Sequence, residues 1–435
     1  MDTTQKIIHR TFLAGLNTGS SSAEFEHSME ELKELAKALD LEVVGIFTQN
    51  LPNPISATYI GSGKIAEIKE QIVIQEVDTI IFDEMLSPIQ LRNLADDLEV
   101  TILDRTSLIL RIFEQRARTK EAMLQVELAN LQYMLPRLVG LHTSLSRQGG
   151  GSGSLSNKGA GETKIELDRR HIEKRITELK RSLEDVARER NVTRSSREQS
   201  GIPKVALVGY TNAGKSTVMN WMLDSFSDQE DKKVLEKDML FATLDTTIRK
   251  ISPGNGNPPF LLSDTVGFIN KLPHSLVKAF HSTLEEVTYA DIILQIVDAS
   301  DEHHDDHIRV TRDTLKELDA STIPCIYVFN KAERIMPHEK LPFIQGDKIY
   351  LSAKEKIGME ALLTLLYEKI FNTRGKCEFL FPLSRGDILN SLFQHAVVQE
   401  YEYRADGIYC SCLCSTKEAK RFEQYSVSKV QDSCS

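Results

Sequence analysis

The 435-residue sequence lacks any apolar run approaching the eighteen or so residues that cross a bilayer. A helical membrane span is therefore not expected. The opening Met1-Asp2-Thr3-Thr4-Gln5-Lys6 also lacks the apolar core of a secretory signal. Both absences point to a cytoplasmic protein. Its six cysteines then read as reduced thiols, and they follow no common zinc spacing. Cys410, Cys412 and Cys414 alternate along an expected strand, which predicts a small apolar face rather than a metal cluster. No stretch has the composition of an extended disordered tail, and 41% hydrophobic residues can build a sizeable core. A net charge of −10 argues against a generic polyanion binder. The length predicts two to four domains at about 150 residues each.

What is present is more specific. Pro203-Lys204-Val205-Ala206-Leu207-Val208 reads as a buried strand, and Thr217 to Leu223 as the first turns of a helix. Between them runs Gly209-Tyr210-Thr211-Asn212-Ala213-Gly214-Lys215-Ser216. Strand, glycine-bounded loop ending in Lys-Ser, then helix, is the phosphate-binding loop pattern. Gly209 and Gly214 let the backbone bend around a phosphate chain that a Cβ would obstruct. N–H groups at the helix start point at the anion. Lys215 brings charge to the β- and γ-phosphates, and the Ser216 hydroxyl is a magnesium ligand.

The rest of the C-terminal half selects the nucleotide. Phe260-Leu261-Leu262-Ser263 leads into Asp264-Thr265-Val266-Gly267. There a carboxylate can hold Mg²⁺ through water, and the Gly267 N–H can sense a γ-phosphate. Asp291 to Asp298 and Cys325 to Phe329 read as further buried strands. The second ends in Asn330-Lys331-Ala332-Glu333, and Ile349-Tyr350-Leu351 ends in Ser352-Ala353-Lys354. Any one of these motifs could be an ordinary strand-end turn. All together, in this order, they resemble the G domain of small GTPases. The expected fold is α/β, a P-loop G domain with a doubly wound, mostly parallel sheet. One position departs from that pattern. The base reader ends in Glu333 rather than Asp. Its carboxylate can still accept both N–H groups of guanine, but the added methylene moves it about one bond length. Guanine preference with weakened affinity or selectivity is expected.

Charge is unevenly distributed. Residues 105–200 hold nineteen Lys and Arg against twelve Asp and Glu, a balance of +7 within a chain of −10. This is either a solvated helical face or one contact with a phosphate-rich partner. Leu124, Leu128, Leu131, Leu135 and Leu138 recur at spacings of four and three. So do Ile172, Ile176, Leu179, Leu183 and Val186, with Ile165 one heptad earlier. Two seam-bearing helices joined through a glycine-rich tip at 140–164 predict a long antiparallel hairpin. The tip carries Arg147, Lys158 and Lys164, which suits a phosphate surface. Residues 1–104 alternate helix and strand signals, with strands at Leu41–Phe47, Thr79–Phe82 and Val100–Leu103, and predict a small α/β domain. Gly61-Ser62-Gly63-Lys64 lacks the glycine spacing of a phosphate loop and reads as a helix-entry turn. The G domain is assigned 201–374. A small α+β appendage follows at 375–435, with a strand at Glu378–Pro382, a helix at Arg385–Phe393 and a hairpin over Val397–Ser415.

Three further stretches are diagnostic: Ser146-Arg147-Gln148-Gly149-Gly150-Gly151, Gly159-Ala160-Gly161-Glu162-Thr163-Lys164, and Leu240-Phe241-Ala242-Thr243-Leu244-Asp245. With the phosphate loop, they resemble the HflX family over nearly the whole chain. The tip departs at Ser154-Leu155-Ser156-Asn157-Lys158, where the family is shorter and more basic, and at Ala160, where it often has Pro. The resemblance implies a bacterial-type GTPase that binds the large ribosomal subunit and its rRNA through the N-terminal domain and arm. Family members are linked to splitting stalled ribosomes under stress. It also implies that Thr243 is the switch I Mg²⁺ ligand, with Thr246 and Thr247 as unsupported neighbours. Asn330 and Lys331 should frame the base, and Ser352-Ala353-Lys354 should meet its O6 face. A monomer is expected.

Ras-like enzymes place a Gln after Asp-x-x-Gly to orient the attacking water. Here Phe268 stands in that place, so slow hydrolysis is expected of the isolated protein. Asn212 occupies the position where related hydrophobic-substituted GTPases help bind K⁺. The alternative to a translation factor is a slow nucleotide-gated switch on another RNA or protein, with turnover incidental.

Overall fold

The computed structural model describes residues 9–148, 158–199, 202–226, 241, 247–254, 257–265, 267–271, 285–371, 375–414 and 416–427. For 139–148, 158–165, 191–199 and 416–418 it describes the backbone alone. The chain falls into two compact units. The first comprises Met1–Arg188 with Asp238–Leu244 and Asn270–Phe280; the second holds the remainder.

In the first unit, β1 (Arg10–Asn17), β2 (Glu42–Asn50), β3 (Thr79–Phe82) and β4 (Thr101–Asp104) form a parallel sheet ordered β2-β1-β3-β4. Strand β1 was not anticipated. Its core is the apolar stretch Thr11–Leu16, buried at every position because helices cover both faces. Phe12, Ala14 and Leu16 pack with α2 (Ser62–Gln75) and α3 (Pro88–Leu98). α1 (Ser22–Ala38) lies against β1 and β2, and α4 (Arg105–Arg116) against β3 and β4. Gly61 is the N-cap of α2, so 61–64 is the expected helix entry.

A buried ion cluster ties these layers together. Arg105, 2% exposed, pairs with Glu31 of α1 and with Asp83 after β3, at 2.5 Å from the latter. Ser28 Oγ donates to Asp83 at 2.7 Å. Lys271 Nζ reaches Asp83 at 2.5 Å and Glu84 at 2.7 Å. Burying a charge is costly unless it is paired, and removing one partner of such a pair costs about 3–5 kcal/mol.

α5 (Lys120–Gln148) and α6 (Lys158–Gln199) are the arm helices, 29 and 42 residues long. They run further into the glycine-rich segment than its composition suggested, through Gly140, Gly159 and Gly161. A helix already propagating absorbs a glycine at about 1 kcal/mol. Residues 149–157 of the expected tip lie outside the described residues, as do the side chains of Arg147, Lys158 and Lys164. Leu128 and Leu179 of the two seams are buried. Arg175 Nε and Nη2 grip Glu127 at 2.7 and 2.9 Å across the helices. The arm's root is fastened at Asp104, which caps α4 and accepts from Tyr133 Oη at 2.7 Å and Arg137 Nη2 at 3.0 Å. Burial, then the Asp104 charge, pushes the Tyr133 hydroxyl pKa well up. Tyr133 therefore stays a donor.

The second unit holds a seven-stranded sheet. Its strands are β5 (Lys204–Gly209), β6 (Thr247–Ile251), β7 (Phe260–Asp264), β8 (Ile292–Asp298), β9 (Cys325–Asn330), β10 (Phe343–Gln345) and β11 (Lys348–Tyr350). The order is β10-β11-β9-β8-β5-β7-β6, parallel except for β6 and β10. β6 and β10, both at edges, were not read from the sequence. α7 (Lys215–Phe226) and α9 (Met359–Phe371) share one apolar core with the sheet, and α8 (His304–Glu317) lies against β5 and β8. β5 has β7 on one side and β8 on the other. The strand order reverses there, and the crevice beyond its carboxyl end is where α/β sheets bind ligands. A second, antiparallel sheet follows: β12 (Gly375–Phe381), β13 (Val397–Arg404) and β14 (Gly407–Cys414), ordered β12-β14-β13. α10 (Gly386–His395) covers one face of it.

Candidate nucleotide site

The loop after β5 is built as its glycines required. Gly209 has φ +144°, and a Cβ there would overlap the Ile296 carbonyl of β8. Gly214 has φ +99°, and a Cβ would overlap Asn330 Nδ2. Asn212, at φ +59°, occupies the left-handed region that Asn tolerates. α7 begins at Lys215, so the loop's N–H groups converge at a helix start.

Lys215 is 6% exposed. Its Nζ donates to the carbonyls of Gly209 at 3.1 Å and Tyr210 at 2.8 Å. Burial pulls its pKa down to about 8, against the opposing pull of Asp264. An ammonium so placed is short of negative charge, which a phosphate would supply. Ser216 Oγ lies 3.5 Å from Asp264 Oδ2 at the end of β7. A hydroxyl beside a carboxylate is a hard-oxygen donor set that fits Mg²⁺, which takes one or two protein ligands and completes its shell with phosphate and water. No cluster of three or more His, Cys, Asp or Glu suited to a metal occurs among the described residues.

Thr265 Oγ1 donates to Leu207 O at 2.7 Å and pins the end of β7 to β5. Gly267 comes close to the loop: a Cβ there would meet Thr211 Cα at 2.9 Å and Lys215 Nζ at 3.0 Å. Phe268 N donates to Gly209 O at 3.1 Å, and Thr211 N to Phe268 O at 2.8 Å. The Phe268 ring is 2% exposed, so the residue in the water-orienting position is packed inside the domain. Thr211 Oγ1 is buried without a hydrogen bond.

The Asn330-Lys331-Ala332-Glu333 segment after β9 also meets the loop. Asn330 Nδ2 donates to Ala213 O at 2.9 Å, and its Oδ1 accepts from Ala353 N at 2.9 Å. Lys331, with φ +60°, donates to Asn212 O at 2.9 Å and to Asp298 Oδ2 at 2.7 Å. Ala332 is buried, and its N–H donates to Leu351 O at 3.1 Å. Glu333 Oε2 is buried and has no hydrogen-bond partner. A carboxylate oxygen in that condition fits a ligand that brings N–H groups. Ser352 Oγ accepts from Glu355 N at 3.3 Å, and Lys354 is exposed.

Two contributors had escaped the sequence reading. Asp298 steers Lys331; burial pushes its pKa up, but hydrogen bonds from Lys331 and Ser300 outweigh that and hold it below the usual carboxylate range. His307 of α8 stacks on Tyr210 with ring centroids 3.7 Å apart. Asp298 had a readable signal, a carboxylate at the end of a strand beside β5. Among the expected switch residues, Phe241 belongs to the first unit, where it meets Phe113 edge-on with centroids 4.7 Å apart. Ala242, Thr243, Leu244, Asp245 and Val266 lie outside the described residues, as does Thr246.

Three family profiles match: GTP-binding GTPase N-terminal over 26–114, GTP-binding GTPase Middle Region over 116–197, and 50S ribosome-binding GTPase over 204–331. A protein of Caldanaerobacter subterraneus named GTPase HflX is 45% identical over 403 residues, covering 92% of this chain and 91% of the relative. One of the same name from Akkermansia muciniphila is 38% identical, covering 97% of each chain. Among solved structures, a complex described as SsGBP with GDP aligns with a TM-score of 0.47 at 25% identity, covering 83% of this chain and 99% of that one. With matched relatives spanning nearly its whole length, this chain belongs to the HflX family of GTP-binding, GTP-hydrolysing P-loop proteins.

Proposed function

We propose that this GTPase binds the large ribosomal subunit and its rRNA through the N-terminal domain and arm, and promotes dissociation of stalled ribosomes. One observation supports the coupling this requires. Phe241 and Lys271, which stand beside the γ-phosphate-sensing motifs in sequence, belong to the unit that carries the arm's root. Phe241 packs on Phe113 of α4, and Lys271 pairs with Asp83 and Glu84. A γ-phosphate that reorders these residues thereby changes contacts on the arm-bearing unit.

At the nucleotide, Lys215 and the loop N–H groups neutralise the β- and γ-phosphates. Ser216 and Thr243 would hold Mg²⁺, with Asp264 acting on it through water. When bound, Mg²⁺ supplies charge neutralisation across the β- and γ-oxygens. Gly267 reports the γ-phosphate through its N–H. Asn330, Lys331 and Ala332 frame guanine, Glu333 reads its N–H edge, and Ser352-Ala353-Lys354 meets O6. The buried Phe268 cannot orient water, so turnover is slow in isolation and rises on ribosomes, with K⁺ beside Asn212 assisting. The working form in this reading is a cytoplasmic monomer.

Sucrose-gradient sedimentation with purified ribosomes tests this reading. The chain should travel with large subunits in GTP and remain at the top in GDP. Absence from large subunits in both nucleotides would replace it with the gated-switch reading.

A further inference from the structure

Four thiols lie together in the C-terminal sheet, far from any role in nucleotide chemistry. Cys410, Cys412 and Cys414 alternate along β14 and point into the core under α10; they are 0%, 0% and 1% exposed. Cys377 of β12 joins them at 6% exposure. All four are reduced. In the antiparallel register Cys377 stands directly opposite Cys412, with Gly375 opposite Cys414. The Cys377 and Cys414 thiols are in hydrogen-bond contact, and Cys412 contacts both Cys410 and Cys414. The cysteines thus form a continuous row rather than scattered core residues.

The geometry of such a row favours one covalent outcome. Opposed residues of an antiparallel pair have Cα atoms roughly 4.5–5.5 Å apart. A disulfide spans Cα separations of about 4.4–6.8 Å and needs the two Cβ atoms about 3.5–4.5 Å apart. Neighbours two apart on one extended strand are separated by about 6.6 Å along it, with parallel Cβ vectors. A bridge between them would have to distort β14. A bridge across the strands would not.

We propose that this sheet is a site of oxidative modification, in which Cys377 on β12 forms a disulfide with the β14 thiols beside it, Cys412 opposite or Cys414 in contact. The co-reactant is a peroxide. Two S–H bonds and the peroxide O–O bond break, and one S–S bond forms. The two sulfurs are each oxidised by one electron, and both oxygens leave as water. Burial raises the Cys377 thiol pKa to about 12 and keeps that sulfur protonated while the sheet is closed. Oxidation therefore proceeds through transient opening of the sheet, and the bond then fastens β12 to the centre strand β14.

Peptide mapping of the purified full chain tests this. The protein is treated with hydrogen peroxide, its remaining thiols are alkylated, and it is digested with trypsin. Cleavage after Lys376 and Arg385 isolates Cys377; cleavage after Arg404 and Lys417 isolates the other three. A reducible cross-link between these two peptides is expected, with the thermal transition of the oxidised protein raised by several degrees over the reduced form. Cys377→Ala should remove the cross-link and the shift while leaving GTP hydrolysis unchanged. Should that variant fail to fold, the wild-type map alone decides. Four alkylated thiols after peroxide, or a bridge confined to 410–414 or reaching Cys325, overturns the proposal.

Discussion

Two buried cations set the two units apart. Arg105 in the first unit is enclosed with Glu31 and Asp83, so its charge is matched within the chain. Lys215 in the second is enclosed mainly by carbonyl oxygens, and its pKa falls to about 8. The first arrangement is finished without a ligand. Among the described residues, the second has no carboxylate in hydrogen-bond contact and suits an incoming anion. Burial of charge is costly in both places, and the difference lies in who supplies the partner. The Arg105 charge is answered by carboxylates of α1 and of the turn after β3; the Lys215 charge has, on the reading proposed above, a nucleotide phosphate as its partner.

The comparison breaks most visibly at Arg105. Arg105→Met takes the shared cation from Glu31 and leaves Asp83 with Lys271 alone, and should lower stability by about 3–5 kcal/mol in urea unfolding. Lys215→Met should do the reverse in the nucleotide-free protein, leaving stability equal or higher by about 1 kcal/mol. Destabilisation as large as that of Arg105→Met would show that Lys215 is already satisfied. The same Lys215→Met change should weaken GDP binding by roughly 100-fold in calorimetry, since charge-assisted bonds to phosphate are lost.

Proton linkage sharpens the contrast. The folded, nucleotide-free pKa of Lys215 is depressed below its ordinary value of 10.5 to about 8. Between those values the unfolded chain binds more protons, so this group makes apo stability rise with pH from about 8 to 10.5. Bound phosphate keeps the ammonium charged. GDP affinity should then fall roughly fourfold between pH 7 and 8.5, with proton uptake seen as a buffer-dependent heat. A flat profile would contradict the depressed value. Smaller effects belong to the base and the cation. Glu333→Asp should tighten guanine binding by about 1 kcal/mol relative to inosine nucleotides, read as a displacement ratio. Turnover in K⁺ should exceed that in Na⁺ several-fold, and Asn212→Ala should erase the difference.

What the sequence disclosed follows the range of the forces involved. The phosphate loop was legible because Gly209, Gly214 and Lys215 act through local backbone shape. Glu333 stood out as a departure because its neighbours Asn330 and Lys331 fix its place in a short motif. Asp298 offered only the general signal of a strand-end carboxylate and His307 none, since their roles come from pairing with Lys331 and stacking on Tyr210. β1 was missed for a related reason. Its apolar run is short, and only helices on both faces make it a central strand. The arm helices outran the composition because Gly140, Gly159 and Gly161 were read as breakers, whereas an established helix tolerates them at modest cost.

Asn330 touches Ala213 with one end of its amide and Ala353 with the other. One side chain therefore belongs to the walls of both halves of the pocket. A movement of either stretch that draws the amide away would strain its bond to the other, so the two are expected to open together. Asn330→Ala is therefore expected to loosen both stretches at once rather than one alone.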